Sequence, residues 1–228
     1  MESAPGRHNA RYARDDRMDD ALRYPLRGEH AEKALLAAWI CVFVHAIVLP
    51  FVALVPLAGY AASVLATAPQ SDPPPFLDRR VLSRSVGAIG LGVGYLAVPL
   101  ATALVTVRLL LGTGRAPTGG DAIVVLVGST AVLFVLAVAV YLLPIALANY
   151  ARSGSIRAGF SGLGTVAGHT AYFVGWCSGI VLLLLGVAVS SALVDLGGFA
   201  LVAGSFVGAY ATVAAARRIG RGYAAATR

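Results

Sequence analysis

Trp176-Cys177-Ser178-Gly179 places two nucleophilic side chains inside an apolar run, the layout of a nucleophile loop in an intramembrane serine protease. Such chemistry needs a base within hydrogen-bond reach of the hydroxyl or thiol. The histidines are His8, His30, His45 and His169, so none follows Ser178, and Trp176 stands where the loop would need glycine. Cys177 with His169 is an equally thin pair. The stretch GTGRAPTGGD at 112–121 has the glycines of a phosphate loop without its Lys-Ser/Thr ending, and reads as a turn. Cys41 and Cys177 each sit alone in apolar segments, which suits buried small hydrophobes and gives no disulfide framework or metal-ligand spacing. The sequence assembles no cluster of His, Cys, Asp and Glu and no set of nucleophile, base and oxyanion donors. Neither a metal, a cofactor nor an enzymatic activity is expected.

His45 is the residue that stands out. Its titratable ring lies in an apolar run beside Pro50, and ionisable groups at membrane depth are functional candidates by default. The plainer reading is a neutral ring hydrogen-bonded to a carbonyl that the proline leaves free. Asp195 reads as a turn residue or helix cap at the outer interface, and Arg108 as a side chain that snorkels to the same interface.

The elements that carry these residues are membrane-length helices. Hydrophobic residues make up 58% of the 228, charged residues 13%, and mean hydropathy is +0.78, which excludes an ordinary soluble domain. Charge-free stretches run over 34–71, 86–107, 122–151, 158–194 and 196–216, each holding at least one span. The expected fold is an all-α polytopic transmembrane helix bundle of about six membrane-crossing segments arranged as three helical hairpins. The segments fall at about 34–49, 51–67, 86–107, 122–148, 171–194 and 197–216. They form a single transmembrane domain over 18–224, after a disordered tail at 1–17. Residues 18–33 read as an amphipathic entry at the membrane surface. The first 33 residues carry seven positive and seven negative charges, unlike a secretory leader, and LATA at 65–68 follows an apolar run too long for a signal peptide.

The prolines Pro50 and Pro56 decide the topology. If residues 34–66 cross once, Lys and Arg divide nine against nine between the two sides; if the chain turns at the prolines and returns, they divide sixteen against two. Only the second division shows the excess of basic residues expected of cytoplasmic segments, and it puts both termini in the cytoplasm. The two halves are then tilted short helices or a re-entrant hairpin packed against protein. A single proline-kinked span followed by an interfacial helix is the alternative. Glycine pairs Gly90/Gly94, Gly164/Gly168, Gly175/Gly179 and Gly204/Gly208 have the spacing that lets helices approach closely, most simply within this chain.

Two stretches resemble a known family. One is Ala21-Leu22-Arg23-Tyr24-Pro25-Leu26-Arg27, followed by a proline-containing apolar segment ending Gly59-Tyr60. The other runs from Tyr210 to Ala215 and on into Gly220-Arg221-Gly222-Tyr223. Together, over about residues 20–224, they resemble the archaeal multi-pass membrane proteins called domain of unknown function 4013. Where that family has an acidic-aromatic segment in its first cytoplasmic loop, this chain has Pro73-Pro74-Pro75-Phe76-Leu77-Asp78. The resemblance implies a cell membrane, in a haloarchaeon, and carries no activity with it.

The net charge of +7 comes from 17 Arg and one Lys lying between apolar segments, which points to anionic lipid headgroups and not to nucleic acid. The expected role is that of a non-enzymatic membrane protein contacting lipids or other membrane proteins through Arg79, Arg80, Arg152, Arg157, Arg217 and Arg218. A small transporter or channel, with a pathway near His45 and the broken first hairpin, is the competing class.

Overall fold

The computed structural model describes residues 21–26, 28, 31–68, 72–111 and 119–228, and among these all regular structure is helical. The tail expected at 1–17 lies outside the described residues. After one 3-10 turn (Tyr24–Leu26) come α1 (Ala31–Ile47), α2 (Leu54–Thr67), α3 (Arg79–Leu111) and α4 (Gly119–Ser153). A second 3-10 turn (Ile156–Phe160) and the short α5 (Leu163–Ala167) lead to α6 (Thr170–Asp195) and α7 (Gly198–Ala226).

Four helices have the length and apolarity to cross a membrane, over Arg79–Arg108, Val125–Ser153, Thr170–Asp195 and Gly198–Ala226. The six crossing segments expected from the sequence reduce to four on this criterion. α1 and α2 have 17 and 14 residues, or about 25 and 21 Å at 1.5 Å per residue, and the hydrocarbon core is about 30 Å thick.

The break between α1 and α2 has a local cause. Pro50 has no N–H to give and pushes Leu49 away from helical geometry, so α1 ends ahead of it. The chain then turns through Phe51, whose φ of 66° is in the left-handed region. Pro56 falls in the first turn of α2, where a missing donor costs nothing. The chain reverses here. Gly28, ahead of α1, lies against the carboxyl group of Asp72, beyond α2. α1 runs antiparallel to α7, with Trp39 Nε1 donating to Ser205 Oγ at 2.9 Å, and α2 returns to end where Leu65 and Ala68 meet Gly220. The two halves scarcely touch each other. Each packs on α7, and α2 also wedges against α3 and α4.

α3 and α4 form one antiparallel pair, with Thr106 facing Gly128 and Tyr150 filling the space beside Gly87. α6 and α7 form another, whose backbones meet at Gly175 and Gly222. A β-carbon on Gly222 would stand 2.9 Å from the Ala171 carbonyl oxygen and 3.1 Å from Gly175 Cα. Gly175, Gly179, Gly204 and Gly208 all serve this contact inside the chain, whereas Gly90 and Gly164 face open space.

Two of the long helices contain proline, Pro99 in α3 and Pro144 in α4. Pro144 deprives the Val140 carbonyl of its donor, and such a group must find a partner where water is scarce. Trp176 Nε1 on α6 donates to that oxygen at 3.3 Å, and the Tyr172 hydroxyl donates to the neighbouring Tyr141 carbonyl at 2.6 Å. Tyr141 donates in turn to the Ala167 carbonyl at 2.6 Å, and its ring lies 5.1 Å from that of Trp176. This aromatic group joins α4 to α6.

Burial is lopsided. Tyr24, Tyr60, Val64, Ile145 and Tyr172 are fully buried around the last half of α7. At the other end Leu104, Leu126, Leu133 and Leu184 are exposed. Water would penalise such a surface, and hydrocarbon does not.

Candidate functional site

The end of the bundle where α7 finishes gathers most of the described basic residues; we call it the basic end. Val81 and Ser85 of α3 meet Gly59 there, Tyr150 of α4 meets Gly87, and α2 meets Gly220. The helix starts and ends that carry arginine therefore share one level. Arg79 and Arg80 open α3, where the Asp78 carboxylate accepts from the Arg80 backbone N–H at 2.9 Å. Arg152 closes α4 and Arg157 lies in the following 3-10 turn. All four side chains are exposed.

Arg217 and Arg218 behave differently, and here the sequence expectation needs correcting. They are only 4% and 6% exposed, because α7 runs through the middle of the basic end with neighbours on every face. The Arg217 guanidinium lies 4.3 Å from the centre of the Tyr24 ring, and Arg218 Nε donates to Ser178 Oγ at 2.8 Å. They are therefore part of the interior, not of an open basic surface. Of the entry segment at 18–33, the structure describes residues 21–26, 28 and 31–33. Ala21 and Tyr24 are buried and the Tyr210 hydroxyl donates to the Leu22 carbonyl, so this stretch is packed onto α7.

Arg152 is held at the rim. Its Nη1 donates to the Tyr223 hydroxyl at 3.3 Å with the guanidinium 5.3 Å from that ring, and the hydroxyl donates to Asn149 Oδ1 at 2.6 Å. Asn149 Nδ2 completes the chain to the Ser161 carbonyl at 3.0 Å. Sequence reading missed this network, whose only linear trace is Asn149 and Arg152 on one helical face. Beyond this network the chain turns at Gly162, φ 65°, and Ile156 and Phe160 are exposed.

Ser178 is tied to its own helix and to α7. Its hydroxyl donates to the Val174 carbonyl at 2.7 Å and accepts from Arg218. His169 Nδ1 caps α6 by accepting from Ala171 N–H at 3.2 Å. Among the described residues no group of three His, Cys, Asp or Glu side chains is placed to hold a metal.

His45 belongs to the turn. Its Nδ1 accepts from the backbone N–H of Phe51 at 2.9 Å, and the two rings meet edge to face at 5.6 Å. The partner is thus an amide N–H, where a carbonyl had been expected, and Nδ1 must be unprotonated to accept. The ring also lines a cavity of about 550 Å³ between the α1–α2 hairpin and the α6–α7 pair. Ser190, Ser191 and Asp195 face the same cavity. The two ionisable groups that the sequence separates by a whole bundle are brought to one space.

These features define an all-helical protein with four helices of membrane-crossing length and apolarity, a compact basic end and a broken first hairpin. The model of the family described as "Protein of unknown function (DUF4013)" matches residues 42–202, more than half of the chain. The chain belongs to that family. The matched range lies inside the 20–224 over which the resemblance was read, and leaves Ala21–Arg27 and Tyr210–Tyr223 outside it. No curated protein and no solved structure matches the chain.

Proposed function

We propose that the chain is a non-enzymatic, multi-pass cell-membrane protein whose basic end is cytoplasmic and contacts anionic lipid headgroups. In this reading α1–α2, α3–α4 and α6–α7 are three hairpins with both termini on the same side, and α1–α2 enters the membrane and returns. The observation that carries it is the sorting of the arginines. Arg79, Arg80, Arg152 and Arg157 are exposed at one level of the bundle, while the apolar flanks beyond that level are exposed as well. A basic rim above an uncovered apolar girdle fits a headgroup layer above acyl chains. Each arginine near such a surface contributes about 1 kcal/mol of attraction, screened by salt.

The test is lipid retention. Protein reconstituted in nanodiscs of mixed zwitterionic and anionic lipid is delipidated stepwise, and the bound lipids are weighed by native mass spectrometry. Anionic lipid is expected to be retained by the wild type and lost from a variant with Arg79, Arg80, Arg152 and Arg157 all changed to Gln. Equal retention by the two proteins refutes the assignment.

A further inference from the structure

We propose that the cavity at the tip of the broken hairpin is a binding site for a single-chain amphiphile with a hydroxyl head, such as a long-chain or isoprenoid alcohol. The site exists because of how the hairpin is built. A pair of helices joined by a tight loop closes its own interior. Here Pro50 and the left-handed Phe51 shape the turn, and α1 and α2 pack far more on α7 than on one another. The space between them is floored by the α7 face at Gly208 and Thr212, whose small side chains do not fill it. The resulting volume of about 550 Å³ is in the range of small-molecule sites.

The lining is graded along the bundle. α2 runs toward the basic end, so Leu57, Ala58 and Ala61 line the deeper part with apolar surface. Asp195 ends α6, and His45 lies at the tip of the hairpin, which puts the ionisable groups and Ser191 at the opposite end. Ala46 and Ser191 are exposed at this end and Val187 is exposed deeper along α6, so the cavity opens on the apolar flank.

The polar groups select the head. His45 Nδ1 is occupied as the acceptor from Phe51 N–H, which leaves the ring's proton on Nε2 as a donor. The Asp195 carboxylate supplies an acceptor. A hydroxyl both donates and accepts, and so satisfies the pair, with the serine hydroxyls adaptable to either role. A bare hydrocarbon satisfies neither group, and an anionic head meets the Asp195 charge. The site is separate from the basic rim and needs none of its arginines.

The experiment uses the full chain in nanodiscs of zwitterionic lipid, which removes the anionic-lipid contact from the outcome. Two photoactivatable probes are compared, a diazirine-bearing C16 alcohol and the matching diazirine alkane, with cross-links mapped by peptide mass spectrometry. The alcohol is expected to label α1, α2 and the end of α6 around the cavity, at least fivefold over the alkane, and unlabelled hexadecanol is expected to compete it away. Ala58→Trp should fill the space and abolish that labelling, and Asp195→Asn should narrow the alcohol's advantage over the alkane. The competition arm needs no variant, so the test stands even if Ala58→Trp fails to fold. Labelling by the alcohol that is not saturable, or no denser at the cavity than at exposed Val98 and Val105 of α3, overturns the proposal.

Discussion

The bond from Trp176 to Val140 makes a claim that a double-mutant cycle can decide. Pro144 leaves the Val140 carbonyl without a helical donor, and Trp176 Nε1 supplies one at 3.3 Å. Trp176→Phe removes the N–H and part of the ring. The lost hydrogen bond is worth about 0.6–1.7 kcal/mol between membrane helices, and a carbonyl left unsatisfied in a dry interior raises that toward ~1–3 kcal/mol. The lost ring volume adds a packing cost of its own. Pro144→Ala restores an N–H at position 144 that can bond to Val140 in the ordinary i to i−4 pattern. In that background Trp176→Phe should keep its packing cost and lose its hydrogen-bond cost. The coupling energy is then about 1 kcal/mol. Tyr172→Phe is the internal control, because Tyr172 donates to Tyr141, to which position 144 does not bond. Its cost should be the same in both backgrounds. The assay is reversible unfolding in mixed micelles as the fraction of denaturing detergent rises, read by near-ultraviolet circular dichroism. Additive costs for Trp176→Phe and Pro144→Ala would refute the reasoning. Equal coupling for Tyr172→Phe would show that Pro144→Ala simply reshapes α4.

The other expectations concern helix approach, buried charge and topology. Gly222→Val should destabilise the fold by about 1–3 kcal/mol as an overpacked contact, since its side chain would strike Gly175 and the Ala171 carbonyl. Gly90→Ala, with nothing near its β-carbon, should cost no stability and gain up to about 1 kcal/mol from helix propensity. Arg218→Ala should destabilise, because it empties a buried site and strips Ser178 of its donor, whereas the exposed Arg157→Gln should not; thermal unfolding in detergent separates them. In intact cells, with Cys41 and Cys177 replaced, a cysteine at Leu196 should react with a membrane-impermeant thiol reagent and one at Asp72 should not. Reaction at both Leu196 and Asp72 would mean that the first segment crosses once, and reaction at Asp72 without Leu196 would mean that the basic end faces outward.

Helix content and membrane-length runs were legible in the chain itself, because an uncharged stretch of about 20 residues has few other stable uses. The turn at Pro50 was legible too, since proline's missing donor acts locally. What His45 bonds to was only half legible. A freed carbonyl was the natural partner to expect, and the left-handed Phe51 offered its N–H instead. The arginines show the limit most plainly. Arg152 and Arg157 read like Arg217 and Arg218 in a linear count of charge, yet the first two are exposed and the last two are buried. That difference depends on which helices surround α7, and charge patterning contains no such information.

The sequence by itself determined that the chain is helical, apolar and basic at its loops, and that its prolines interrupt the first segment, by a turn or by a kink. Composition, hydropathy and proline act through short-range physics that needs no fold. Only the tertiary structure decided that α1 and α2 lean far more on α7 than on each other, that Trp176 answers the proline of another helix, and that His45 and Asp195 share a cavity. Each of these depends on contacts between residues far apart in the chain, which are selected by packing shape and donor–acceptor geometry and leave no pattern along it.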